Sequence, residues 1–205
     1  MTNNTRKKVH DTREAWLMGA VAIMAPRFKA NDTPLPKKIR VTVGFPSTGS
    51  RSKKVIGQHF ATSVSADGTH EIIVHTRIDN ALHVLGILTH ELCHAAAPAG
   101  AKHGGAFSSI GKALLLEGKP TEMTNGDDYD KEIGKPIIAE IGKFPHAKLE
   151  LTSAKKQTTR LMKCECAGCG YVARITRKWV NDSGAPLCPD DSCTFFEQPM
   201  TVEPM

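Results

Sequence analysis

The 205-residue sequence predicts an α+β fold in two parts, a larger domain over residues 1–152 and a small β module over residues 153–205. Three observations carry this expectation. Apolar residues recur at helical spacing in residues 11–30 and 81–97, short strand-like runs lie between them, and five of the six cysteines fall between Cys164 and Cys193.

Residues 11–30 predict an amphipathic helix with Trp16, Leu17, Ala20, Val21, Ile23 and Met24 on its apolar side and Pro26 near its end. Strands are expected in KKIRVTVGFP, IGQHF and SADGTHEIIV, broken by the loop PSTGSRSKK and the turn ADG. The segment ALHVLGILTHELCHAAA carries Leu82, Leu85, Leu88 and Leu92 and reads as a buried helix ended by Pro98 and Gly100. Phe107, Ile110 and Leu114 mark a second helix just downstream. The polar run PTEMTNGDDYD reads as a loop, and KPIIAEIGKFPHAKLEL is apolar enough to pack back on the first domain. TSAKKQTTR is polar and basic without an apolar face, which puts the domain boundary near residue 152.

The run HELCH inside the central helix points to chemistry. Residues four apart on a helix share a face, so His90 and His94 can hold one tetrahedral Zn²⁺. Glu91 follows His90 directly and stands beside the metal without ligating it, as a general base that takes a proton from a metal-activated water and later protonates a leaving amine. A catalytic zinc takes a third protein ligand and keeps one position open. His103 fills that role best, because the intervening AAAPAGAK is rich in Ala, Pro and Gly and lets the chain turn back. Glu117 and Glu122 are rivals that would make a two-histidine, one-carboxylate site. His59, His70 and His75 read as structural or solvated, and so does His83, although it shares roughly the helical face of His90.

The cysteines suit metal better than disulfides. Cys166 and Cys169 form a CxxC knuckle, Cys188 and Cys193 a looser pair, and between them GYVARITRKWVNDSGAPL holds a strand-like run and a turn at NDSG. This is a zinc-ribbon layout with a closed, structural Zn²⁺, in which Cys164 competes with Cys166 as ligand. Cys93 lies on the opposite side of the helix from the histidine ligands and reads as a small core residue.

Charge is uneven. Residues 1–60 carry twelve Lys and Arg against three Asp and Glu, whereas residues 61–150 carry eight against twelve. A second basic stretch comprises Lys155, Lys156, Arg160, Lys163, Arg174, Arg177 and Lys178 against Glu165, with Tyr171 and Trp179 in or beside it. Cations interleaved with aromatic faces suit single-stranded or damaged DNA, while the competing reading is a solvated face whose Trp179 packs the ribbon core. No apolar run approaches the roughly 20 residues that span a bilayer, and MTNNTRKKVH is not followed by a secretory segment. The expectation is an intracellular, cytoplasmic protein that does not engage membranes.

HELCHA followed by HGGAF resembles the SprT-like zinc metallopeptidases, the family related to Spartan. The likeness runs from about Ile39 to Phe195, with the two motifs specific and the strands supportive; the eight residues between His94 and His103 are fewer than in the Spartan branch. The resemblance implies a zincin-like domain with an N-terminal helix, a small antiparallel sheet, the HExxH helix and a following helix, plus a ribbon. It also implies that HEIIVHT lies near the cleft, where an edge strand can pair with an extended substrate peptide. The activity implied is that of an endopeptidase acting on DNA-associated or DNA-crosslinked proteins. The alternative is a nucleic-acid-binding zinc protein whose HExxH site is structural.

Overall fold

The computed structural model describes residues 10–48, 54–150 and 161–203. These fall into two compact units on either side of Thr152. Most of the PSTGSRSKK loop, the TSAKKQTTR segment and with it Lys155, Lys156 and Arg160 lie outside the described residues.

The first unit starts with helix α1 (Arg13–Ala30), whose N-cap Thr12 accepts the Ala15 N–H at 3.1 Å. Trp16, Leu17, Ala20, Val21, Met24 and Phe28 are buried on one face. Strands β1 (Ile39–Gly44), β2 (Gly57–Phe60) and β3 (His70–His75) form a sheet in the order β1-β3-β2. Its pairing is mixed: β1 runs parallel to β3 from Ile39↔His70 to Gly44↔His75, and β2 runs antiparallel from Gly57↔Val74 to Phe60↔Glu71. The sheet is therefore not the antiparallel one expected. Two of its three runs are joined through a strand that inserts between them, and local patterning does not report which neighbours pair. The same order places HEIIVHT at the centre and leaves β2 on an edge, which corrects the expectation of an edge strand at β3.

Helix α2 (Ala81–Ala96) carries HELCH and is capped by the Asn80 side chain, which accepts the His83 N–H at 3.0 Å. It is apolar nearly all round because it has neighbours on nearly all sides: β2 and β3, the following helix α3 (Gly105–Ala113), and a short hairpin of β4 (Leu116–Glu117) and β5 (Thr124–Asn125). Gly86 permits the hairpin's approach, since a Cβ there would lie 2.6 Å from Asn125 Oδ1 and 2.9 Å from its backbone nitrogen. The stretch expected as loop thus holds a strand, and continues as a helical turn α4 (Asp127–Tyr129) and a π-helical turn (Asp130–Gly134) into α5 (Lys135–Ile141). A two-residue strand has no periodicity to detect. Thr89 is buried on α2, donates to the Leu85 carbonyl at 2.8 Å and lies 2.6 Å from the Tyr129 hydroxyl.

The chain after α5 returns to α1, as its apolar residues suggest. Phe144 packs against Trp16 with ring centroids 4.9 Å apart in a tilted arrangement, and the Trp16 indole N–H donates to the Gly142 carbonyl at 2.9 Å. His146 donates from Nε2 to the Thr76 carbonyl at 2.8 Å and accepts from Arg13 at 3.2 Å, and the Leu149 N–H also reaches Thr76 O at 3.0 Å.

The second unit is a sheet of β6 (Leu161–Glu165), β7 (Val172–Thr176) and β8 (Thr201–Val202) in the order β7-β6-β8, with all pairs antiparallel. The NDSG segment belongs to a short helix α6 (Arg177–Ser183) closed by Gly184 at φ 84° rather than to a simple turn. Among the described residues, no helix is long and apolar enough to cross a membrane.

Candidate metal centres and cleft

Three imidazoles converge at one end of α2. His90 and His94 project from successive turns, and the chain that leaves the helix at Pro98 returns His103 to them just before α3. The His103 Nε2 lies 3.3 Å from His90 Nε2 and 3.1 Å from His94 Nε2. A tetrahedral ion held by nitrogen at about 2.0–2.1 Å sets its donors about 3.3 Å apart. The three donors fit that spacing, and this group could hold a metal ion. Glu117 and Glu122 are outside the group, although Glu122 lines the adjoining cleft.

Each ring has a support. His90 Nδ1 is 3.0 Å from the Met123 carbonyl, which can only accept, so the ring's proton sits on Nδ1 and Nε2 presents a lone pair. Phe107 of α3 touches all three rings, stacked 4.3 Å from His94 and at 4.9 and 5.0 Å from His90 and His103. Burial lowers the His90 pKa; burial first and then the neighbouring imidazoles of His90, His103 and His59 bring His94 to about 3. Both rings are therefore neutral at physiological pH, the form that ligates a metal.

Glu91 is buried beside them. Burial pushes its carboxyl up to about 8, opposed by a hydrogen bond from the His59 backbone N–H. It packs so closely on β2 that a Cβ on Gly57 would lie 2.5 Å from its Oε1. Cys93, on the same helix, is fully buried and its thiol is pushed up by burial, as a core residue's should be.

A cleft of about 710 Å³ opens over the cluster, lined by Ile56 and the β2 residues Gly57, Gln58 and His59, by His83, Ile87 and Glu91 of α2, and by Lys102 and Met123. His59 belongs to this wall. Its ring lies parallel to that of His94, 6.0 Å away at 8°, and its Nε2 is 2.8 Å from His70 Nδ1. The sequence reads His59 and His83 as structural or solvated, His83 despite its helical spacing to His90, and offers no sign of the Met123 carbonyl, because a backbone carbonyl carries no sequence signal. Gly57 within IGQHF was the available hint, since a glycine inside a strand marks a close approach.

In the second unit the Sγ atoms of Cys166, Cys169, Cys188 and Cys193 gather within 4.8 Å of one another. Cys166 and Cys193 are 3.7 Å apart, as are Cys169 and Cys188. A disulfide needs about 2.05 Å, whereas four thiolates at about 2.3 Å from a tetrahedral ion stand about 3.8 Å apart. The observed spacing is that of a metal site, and the group could hold an ion. Backbone N–H groups of Cys169 and then Gly168 bring the Cys166 thiol down to about 6, favouring the thiolate a metal requires. Cys164 is not in the group; it is fully buried in the small core with Met200.

Tyr171, Trp179, Phe195 and Phe196 are exposed on this unit, Trp179 at 53%. Trp179 thus does not pack the small core of this unit; Lys178 lies over its ring at 5.0 Å. Lys163 is engaged by Glu165 and Glu203, which removes it from the open cations of the basic stretch. Compared with models of known families, with curated proteins and with solved structures, the chain matches none.

Proposed function

We propose that the chain is a zinc-dependent endopeptidase of SprT-like type, with a zincin-like catalytic unit and a zinc ribbon that recruits DNA-associated substrates. One observation carries the peptidase reading: three imidazoles converge on one point with the buried carboxyl group of Glu91 next to them, at the floor of an open cleft. A purely structural zinc has no use for Glu91 there.

His90, His94 and His103 would hold the catalytic zinc, and Cys166, Cys169, Cys188 and Cys193 the structural one. When bound, the catalytic zinc supplies Lewis acidity toward the substrate carbonyl, activates water near neutral pH and favours the ionised form of Glu91. Glu91 takes a proton from the attacking water and delivers it to the departing amine as the C–N bond breaks. Its buried position on Gly57, held by the His59 N–H, fixes the carboxylate in one place for both transfers. The edge of β2 beside the cleft offers backbone groups to an extended peptide.

The exposed aromatic faces of Tyr171, Trp179, Phe195 and Phe196, with Arg174, Arg177 and Lys178, support recruitment through single-stranded DNA. The test is a Glu91→Gln variant. The reading expects two zinc ions per chain before and after the substitution, with cleavage of a DNA-bound protein, or self-cleavage, abolished. Activity that survives in Glu91→Gln refutes it. A Trp179→Ala chain should bind single-stranded DNA severalfold more weakly, and unchanged binding would remove the ribbon from the recruitment role.

A further inference from the structure

The His59–His70 pair is unused by the metal centre. Two imidazoles hydrogen-bond each other on neighbouring strands, with one in the cleft wall and the other behind it, more open to solvent. Burying polar rings is costly, and an apolar pair would pack β2 on β3 without that cost. Their arrangement has a chemical consequence. One proton sits between His59 Nε2 and His70 Nδ1. If His70 supplies it, His59 Nε2 is the acceptor and the neutral His59 carries its own proton on Nδ1.

We propose that His59, its tautomer set by His70, donates a hydrogen bond from Nδ1 to the oxygen of the carbonyl under attack. The proposal rests on the peptidase reading. Three placements support it: the His59 ring lies parallel to His94, its backbone N–H holds Glu91, and β2 is the edge along which a peptide can lie. A donor at this point faces an oxygen that gains negative charge as water adds, so its bond strengthens on the way to the transition state. His70 is a positioning residue, acting only through His59.

The experiment compares the full-length chain with His59→Phe, His59→Gln and His70→Phe on a quenched fluorescent peptide, with zinc content measured for each and Glu91→Gln as the inactive reference. His59→Phe keeps the backbone N–H to Glu91 and a ring against His94. It is expected to lower kcat about 100-fold, to change KM less than threefold, to retain two zinc ions, and to weaken binding of a phosphinic peptide in step with kcat/KM. His59→Gln keeps a donor and should recover part of the loss; His70→Phe should fall in between. Wild-type kcat in His59→Phe with zinc retained overturns the donor role alone. Loss of a zinc ion in both His59 variants also overturns it, making His59 a support of the centre. A native chain no more active than Glu91→Gln overturns the peptidase reading and this proposal together.

Discussion

Replacing Gly57 by alanine puts a methyl group where the Glu91 carboxylate now rests. The added Cβ would lie 2.5 Å from Glu91 Oε1 and 2.6 Å from Ile87 Cγ2, against an ordinary contact of 3.4 Å or more. The Glu91 carboxylate, the Ile87 side chain or the strand itself must give way by about 0.9 Å, the difference between those distances. Overpacking of this kind costs about 1–3 kcal/mol, which in a domain of this size lowers Tm by roughly 2–12 °C. A displacement near 1 Å of a catalytic group costs about 100-fold in rate. Thermal unfolding and peptide cleavage on the same preparation test both, with zinc content as control. A Gly57→Ala chain with native Tm and native kcat would refute the close packing of β2 on Glu91 as the device that positions the carboxylate.

Phe107→Ala removes a buried ring from the midst of the three histidines and should cost about 3–5 kcal/mol, with weakened metal retention on dialysis; retention equal to the native chain would count against Phe107 as the support of the cluster. Thr89→Val leaves the buried Tyr129 hydroxyl without its partner and should cost about 1–3 kcal/mol, measured by chemical denaturation. Adding Tyr129→Phe should then cost little more, and two fully additive losses would show that the pair is not coupled. Cys169→Ser should remove one of two metal ions per chain and abolish protection of the β6 and β7 amides in hydrogen exchange while leaving protection in α2 unchanged; β6 protection equal to native would mean the ribbon folds without its ion.

What the sequence made legible was local. His90 and His94 are readable because a helix repeats every 3.6 residues, and Phe107, Ile110 and Leu114 because the same period continues in α3. His103 could be inferred from a loop short enough to return. The parallel pairing of β1 with β3 was hidden, since a strand's own residues state which face is buried and not which neighbour lies beside it. The same limit hid His59. It became part of the cleft only because β3 takes the centre of the sheet and pushes β2 to the edge facing α2. The support of His90 by the Met123 carbonyl depends on a hairpin too short to leave a pattern.

The way the first unit closes bears on how it meets mechanical load. The segment from Gly142 to Leu149 is tied to Trp16 and Arg13 of α1 and to Thr76 just beyond β3, and none of these ties involves α2. A pull applied at Leu149 is borne first by the Thr76 carbonyl, which holds both Leu149 and His146, then by the Arg13 guanidinium and last by the Trp16 indole. Thr76 follows directly on β3, and β3 pairs with the strand that packs on Glu91, so such a load reaches the cleft through the sheet rather than through α2.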